Sequence, residues 1–246
     1  MPLYTADALI LRTYKLGEAD RIVVFLTRDR GKKRGVAKGA RRVRSPFAGA
    51  LEPLTEVRVA YFEKERRELV GLNFAETIRS PLDLIGPVGA RRAVNGDSVE
   101  TGARAPGRSP GASHDIDGAL GYVGYFAELL DEWAQDADAD ERLYRLGASM
   151  LHALGAGAPT ESLARYFEYW LLRLQGVYPE TRGTLSEAAL AFLAASRSLG
   201  PDRASELPAE RRVLKELEQV HRDLITMHLE KTLKSDRVLR DLRRHG

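Results

Sequence analysis

The sequence contains no cysteine and no long apolar run. The missing thiols exclude disulfides, cysteine-ligated zinc and thiol nucleophiles. No segment reaches the roughly 18 to 20 consecutive apolar residues that a membrane-spanning helix needs, and the start, MPLYTADALI, lacks the basic leader and apolar run of a signal peptide. We therefore expect a soluble, cytoplasmic protein, associated with the nucleoid and without a membrane partner.

Motifs of catalysis and metal binding are also missing. No nucleophile has the spacing of an elbow or a triad, and Gly155 and Gly157 do not complete a dinucleotide-binding fingerprint. His221 and His228 share a helix face without a third ligand, which is typical of two surface histidines. The run Asp136–Asp140 indicates a turn between helices rather than a calcium loop. We expect no catalytic residue, no metal and no cofactor.

Positive charge is concentrated in one short segment. The chain has a formal net charge of +3, whereas Arg28–Arg44 contains nine Lys or Arg against one acid, Asp29. Such a cluster repels itself unless a polyanion is present, so it indicates a nucleic acid partner. Few aromatic residues are available for stacking, Tyr14 among them, and we expect phosphate contacts to outweigh base reading. The cations predicted to bind DNA are Arg30, Lys32, Lys33, Arg34, Lys38, Arg41, Arg42 and Arg44.

Short apolar runs separated by turn residues predict five strands in the first 80 residues. A short helical turn, broken by Pro and Gly, is predicted between the third and fourth strands at Ser45–Thr55, and a charged turn at Glu63–Glu68. This order is typical of an OB-fold barrel. An SH3-like barrel has the same number of strands, and periodicity alone does not separate the two. The predicted strands are Ala8–Leu11, Ile22–Leu26, Lys33–Arg41, Val57–Phe62 and Glu68–Ile78.

The composition changes after the strands. Residues 87–118 have too few large apolar side chains to offset the entropy of ordering. Beyond them the apolar period becomes that of amphipathic helices, at Tyr122–Trp133, Ser162–Leu174, Glu187–Ser196 and Glu210–Leu229. We predict an α+β protein: an N-terminal five-stranded OB-fold β-barrel (1–80), a flexible linker or insertion (81–118) and an α-helical C-terminal domain (119–246).

The segment Gly31–Thr55, GKKRGVAKGARRVRSPFAGALEPLT, combines a VAKGAR core with GAL-x-P-x-T. Together with SLARYFEYWLLRLQGVYPE and HLEKTLKSDRVLRDL, it resembles the bacterial RecO family of recombination mediators and DNA repair proteins. The resemblance implies an OB-fold followed by a helical domain, binding of single- and double-stranded DNA, and annealing of complementary strands. Many members carry a four-cysteine zinc site after GVYPE, and since that site is missing here, no metal is implied.

The resemblance also implies protein partners. The family acts with RecR to load RecA onto DNA coated by single-strand DNA-binding protein. The acidic C-terminal tail of that protein docks on the helical domain at an arginine matched here by Arg165. The planar fork of an arginine can hold a carboxylate bidentately. The alternative is that Arg165 pairs with Glu161 or Glu168 on its own helix.

Two other functions are alternatives to DNA binding. An OB-fold RNA-binding protein of ribosome assembly or translation would use the same cations and stack unpaired bases on exposed aromatics. A helical scaffold that binds only proteins would show no salt-dependent binding to oligonucleotides.

Overall fold

The computed structural model describes residues 2–63, 68–84, 110–179, 185–207 and 210–245. The middle of the predicted charged turn (64–67) and most of the predicted linker (85–109) lie outside these ranges. The strands are β1 (Leu3–Leu16), β2 (Asp20–Thr27), β3 (Gly31–Ala37), β4 (Glu56–Phe62) and β5 (Leu69–Arg79). The helices are α1 (Pro110–Trp133), α2 (Glu141–Gly155), α3 (Thr160–Leu174), α4 (Glu187–Ser198), α5 (Arg211–Leu229) and α6 (Lys234–His245), with 3₁₀ turns at Pro81–Leu84 and Pro201–Glu206. None of the helices described is long and apolar enough to cross a membrane.

The strands close into a barrel in the order β1-β2-β3-β5-β4, and β4 pairs back onto β1. Neighbouring strands are antiparallel except β3 and β5, which run parallel with Gly35 beside Val70. This closed order with a crossover after β3 is that of an OB-fold. The predicted fold class, an OB-fold barrel followed by helices, is therefore confirmed, and the SH3-like alternative is excluded.

Strands β1 and β2 are apolar on both faces. Side chains alternate between the two faces of a strand, so Ile10 and Phe25 point into the barrel. Leu9 and Leu26 point outward, yet they are also fully buried because helices cover them. The outer face of the barrel and the helices thus share one hydrophobic core, separate from the core inside the barrel.

The connection between β3 and β4 differs from its prediction. Residues 45–54 form a series of turns rather than a helical turn, since Gly49 and Leu54 both have positive φ, at 73° and 61°. The apolar side chains Phe47, Ala50 and Leu51 nevertheless reach the inside of the barrel and are buried there. The connection therefore closes one end of the barrel.

Helices α1 and α2 differ from the elements that the sequence predicts. Helix α1 begins at Pro110, inside the segment predicted as a linker. Its first turns were not predicted because the apolar stripe on which the prediction rested starts only near Tyr122. Helix α2 was not predicted, although Asp140 caps it by accepting a hydrogen bond from the Leu143 N–H at 3.0 Å. Asp140 ends the run Asp136–Asp140, which lies between two helices as expected.

Specific polar contacts fix the barrel against the helices. The backbone of Lys32 pairs with the chain after α1, donating to the Gln135 carbonyl at 3.1 Å and accepting from the Ala137 N–H at 3.0 Å. Arg28 contacts Glu141 of α2 at 2.6 Å, and the Tyr144 hydroxyl donates to Glu56 of β4 at 2.9 Å. These contacts therefore fix the position of the helical domain on the barrel.

Gly31 packs closely against Asp138 at this interface, and we expect Gly31→Ala to destabilise the protein strongly. Its φ is +67°, and an added Cβ would lie 2.3 Å from the Asp138 carbonyl oxygen. Left-handed backbone costs a residue with a Cβ about 1–2 kcal/mol, and a forced steric shift costs about 1–3 kcal/mol more. Urea denaturation should show a loss of about 2–5 kcal/mol in the free energy of unfolding.

The matched control is Gly17→Ala, since Gly17 also has a positive φ, +59°, but no neighbour within 4 Å of an added Cβ. We expect only the backbone cost there. Equal losses in the two variants would contradict close packing at Gly31.

Candidate nucleic-acid interface

The eight predicted DNA-binding cations fall into two groups, and Lys32 belongs to the group held inside the protein. Its Nζ donates to the Asp131 carbonyl at 2.7 Å and lies 3.6 Å from the Asp131 carboxylate. Only 11% of its side chain is exposed. To contact a phosphate, as predicted, the Lys32 cation would have to leave Asp131 of helix α1.

Lys33 and Arg30 are also engaged within the chain. The Lys33 Nζ lies 2.8 Å from the Glu63 carboxylate, just after β4, and its side chain is mostly buried. The Arg30 guanidinium lies over the ring of Tyr4, 4.2 Å from its centroid, in a cation–π contact. Arg30 remains partly exposed and lies 3.7 Å from Asp29.

The remaining five cations are exposed: Arg34 on β3, and Lys38, Arg41, Arg42 and Arg44 in the connection that follows. We call the segment Lys38–Arg44 the basic loop. Among the residues that the structure describes, no carboxylate forms an ion pair with any of these five side chains. Their charge is therefore available to an external anion.

Hydrogen bonds hold the basic loop in place. The Gly39 N–H donates to the Asp20 carboxylate at 2.8 Å, and the Arg41 N–H donates to the Ala19 carbonyl at 2.9 Å. The Arg41 guanidinium donates to the Glu18 carbonyl at 2.8 Å. Gly39 turns the chain with a φ of +68°, which favours glycine. The loop is thereby fixed to the turn between β1 and β2.

A cleft of about 350 Å³ lies between the outer face of the barrel and helix α1. Its apolar lining includes Ile22 and Leu69, and Tyr14 stands at its edge with 47% of its surface exposed. Arg34 also lines the cleft. An ion-paired cluster lines the cleft as well, formed by Arg12 with its acid partners Asp131 and Glu132. The cleft thus combines an aromatic ring, a cation without an acid partner among the described residues, and an ion-paired cluster between β1 and helix α1.

Arg165 is placed in the interior of the helical domain, with 3% of its surface exposed. Its guanidinium lies 2.5 Å from Glu168 and 3.3 Å from Glu218. The pair with Glu168 is the alternative that the sequence offered for Arg165. An incoming carboxylate would have to displace Glu218 to bind this arginine, so the predicted docking role requires a local rearrangement.

A buried polar network surrounds Glu168. Its carboxylate accepts hydrogen bonds from the Tyr125 hydroxyl at 2.7 Å and from His221 Nδ1 at 2.9 Å. His221 Nε2 lies 3.3 Å from the Tyr178 hydroxyl, so a neutral ring with its proton on Nδ1 satisfies both neighbours. The prediction of a surface position is wrong for His221, which is fully buried.

The environment of this network lowers two pKa values. Burial alone would raise the pKa of Glu168, but the charge of Arg165 and the hydrogen bonds from His221 and Tyr125 hold it below its ordinary value. Burial lowers the pKa of His221 more than the neighbouring Glu168 carboxylate raises it. The network therefore contains a carboxylate, a guanidinium and a neutral imidazole.

His228, the second predicted surface histidine, is exposed and stacks on the Trp133 indole with ring centroids 5.5 Å apart. Within the described ranges, no cluster of three or more His, Asp or Glu could hold a metal ion.

Family models and individual relatives all point to the same protein family. A family model described as "Recombination protein O N terminal" matches residues 1–81, and one described as "Recombination protein O C terminal" matches residues 114–184. A DNA repair protein RecO of a Nocardioides species is 34% identical over 95% of this chain and 97% of its own length.

Other relatives are matched over part of their length. DNA repair protein RecO of Koribacter versatilis is 35% identical over 72% of this chain, and that of Anaeromyxobacter sp. strain K is 33% identical over 70%. These alignments take in 61% and 56% of the relatives. The chain thus spans about three-fifths of the length of these two proteins.

We expect acid to destabilise the helical domain through His221 first. On unfolding, His221 and Glu168 return to ordinary pKa values of 6.5 and 4.5. Because both pKa values are lower in the folded state, the unfolded chain binds more protons on acidification, and stability falls as the pH decreases. The melting temperature should drop between pH 7 and pH 5 through His221, and further below about pH 4.5 through Glu168.

His221→Asn, which keeps an amide donor for Glu168, should flatten the profile between pH 7 and pH 5. The same change at the exposed His152 is the matched control. Its melting temperature should depend on pH as that of the wild-type protein does. An unchanged slope in the His221 variant would show that another group carries the pH dependence.

Loss of Arg165 should destabilise the fold, since Glu168 would then lie buried without its cation. We expect Arg165→Ala to lower the free energy of unfolding by about 3–5 kcal/mol, the usual cost of breaking a buried pair. Arg203→Ala removes an arginine from an exposed pair of the same i, i+3 spacing with Glu206 and should change stability little. Similar stabilities for the two variants, measured by denaturant unfolding, would contradict the structural role of Arg165.

Proposed function

This chain belongs to the RecO family of DNA repair proteins, and on that basis we propose that it binds single- and double-stranded DNA through the basic loop and the adjoining cleft. We further propose that it anneals complementary strands and acts with RecR to load RecA onto DNA coated by single-strand DNA-binding protein. The family resemblance supports these partners, and the surface described above supports the DNA contact. The proposed role is one of binding and positioning, without a catalytic step.

The observation that carries the proposal is the exposure of five cations that have no acid partner among the described residues. Lysine and arginine side chains bind phosphates by releasing the counterions of the nucleic acid. A cation already paired within the protein contributes little to this release, whereas Arg34 and the four cations of the basic loop remain available. Since the loop is hydrogen bonded to the turn between β1 and β2, the charges are presented in a fixed arrangement.

The cleft supports contact with unpaired bases. The half-exposed Tyr14 ring and Arg34 both line the cleft. Stacking of one base on an aromatic ring contributes about 1–3 kcal/mol without strong sequence preference. Phosphates on the basic loop and a base on Tyr14 would together hold a single strand. This combination favours binding that is largely independent of sequence.

Annealing follows from electrostatics. Two DNA strands repel each other through their phosphates, and a cationic surface that neutralises part of this charge lowers the barrier to their approach. Holding one strand on the protein also raises its effective concentration near a second bound strand. Such a mechanism needs no nucleotide hydrolysis.

Protein partners are proposed for the helical domain. If the acidic tail of single-strand DNA-binding protein docks at Arg165, its carboxylate takes the place of Glu218, which lies 3.3 Å away. Glu168 would stay as the buried partner of the arginine because it is also held by Tyr125 and His221. Docking there is thus an exchange of one carboxylate for another.

The salt dependence of DNA binding tests the basic loop. The logarithm of the binding constant falls with the logarithm of salt concentration by about 0.7 per phosphate contacted on a single strand. The triple variant Lys38→Ala/Arg41→Ala/Arg42→Ala should therefore reduce the slope by about 2 and weaken all sequences alike. Fluorescence anisotropy with labelled oligonucleotides between about 50 and 200 mM salt measures both effects.

The control removes three surface arginines that do have acid partners: Arg58→Ala/Arg79→Ala/Arg203→Ala, whose partners are Asp7, Glu56 and Glu206. It has the same net charge and should keep nearly the wild-type slope. Equal slopes in the two triple variants would move the DNA site away from the basic loop. Tighter binding of a matched single-stranded RNA than of DNA would favour the RNA-binding alternative.

A further inference from the structure

Two arginines of the helical domain converge on one neutral oxygen. Arg173, in the last turn of α3, donates to the Tyr169 hydroxyl at 3.0 Å, and Arg197, in the last turn of α4, donates to the same hydroxyl at 2.5 Å. Tyr169 itself is fully buried, whereas both arginines are exposed. In the part of the chain that the structure describes, neither guanidinium forms an ion pair with a carboxylate.

This arrangement brings two positive charges together, and a bound anion would stabilise it. Two like charges that share one acceptor repel each other, and a phenol oxygen carries no charge to offset that repulsion. The carbonyl ends of α3 and α4 favour one cation each, which explains an arginine on each helix but not their convergence. Two planar guanidinium groups directed at one position can donate hydrogen bonds to the oxygens of a single phosphate group.

An aromatic ring is fixed beside the two arginines. The Trp170 indole is partly exposed, and its Nε1 donates to the Ser196 carbonyl at 3.0 Å, which holds the ring between α3 and α4. The Arg173 guanidinium lies 5.9 Å from the indole centroid. A flat ring beside a phosphate-binding pair is the combination that binds a nucleotide of a single strand, by stacking and charge together. An acidic peptide would use the arginines but has no base to stack on the indole.

We propose that Arg173, Arg197 and Trp170 form a second single-strand site, which takes one phosphodiester and its adjacent base. The proposal rests on DNA binding by the basic loop and adds a site on the other domain. One protein would then hold two strands, one on the barrel and one on the helices, and a single copy could bring complementary strands together.

The two tryptophans of the chain give a local measurement of this site. Trp133 and Trp170 are the only tryptophans in the sequence, and Trp133 is buried. In a Trp133→Phe variant, the fluorescence of Trp170 alone is recorded while a short oligothymidylate is added. We expect saturable quenching, and we expect Arg173→Ala/Arg197→Ala to weaken it by about tenfold or more, since two charge-assisted contacts are lost.

A second variant guards against misfolding of Trp133→Phe. The same titration is made with the wild-type protein and with Trp170→Phe, and the difference gives the signal of Trp170. Arg173→Lys/Arg197→Lys should retain part of the binding, because lysine keeps the charge but loses the planar fork. Quenching that is the same with and without the two arginines would overturn the proposal.

The outcomes separate this site from the basic loop. The triple variant of the basic loop should keep the Trp170 quenching while losing much of the overall affinity for DNA. If the basic loop plays no part, that affinity is unchanged and the Trp170 result still stands by itself. Absence of quenching at oligonucleotide concentrations that saturate the wild-type protein would refute the second site, and quenching by an acidic peptide alone would identify a protein-binding site instead.

Discussion

Burial of the outer face of β1 and β2 is the constraint on which the rest of the structure depends. Leu9, Leu11, Val24 and Leu26 point away from the barrel core and are covered by helices α1 and α2. Burying a side chain of this size stabilises by about 1.5–3 kcal/mol, so the contact is large enough to hold the two domains together. An OB-fold without this cover would expose a broad apolar strip.

The same contact decides which cations of β3 are exposed to solvent. Lys32 lies on the part of β3 that faces helix α1, and its charge is neutralised by Asp131. Arg34 lies two residues further along the strand and remains exposed. The basic loop is hydrogen bonded instead to the turn between β1 and β2. Whether a cation is paired within the protein or exposed to solvent therefore depends on its position relative to the covering helices, and the sequence charge alone does not decide it.

The sequence was sufficient for the elements whose signals are local. Alternating apolar residues and turn-forming glycines predicted the five strands, since strand periodicity depends only on neighbouring residues. The choice of an OB-fold over an SH3-like barrel came from the family resemblance. Contacts between distant segments could not be predicted in this way. The burial of His221 depends on Glu168, which is 53 positions away in the chain. The hydrogen bond that engages the Lys32 ammonium group is accepted by Asp131, which is 99 positions away. The convergence of Arg173 and Arg197 likewise needs two helices packed together.

The tether of the basic loop to the turn between β1 and β2 has a kinetic consequence. Because the Gly39 N–H and the Arg41 N–H are already hydrogen bonded to Asp20 and Ala19, the loop does not have to fold around its ligand, and binding costs little conformational entropy. Association with a polyanion can then approach the rate set by electrostatically steered diffusion. Discrimination between nucleic acids would appear in the lifetimes of the complexes rather than in the rates at which they form.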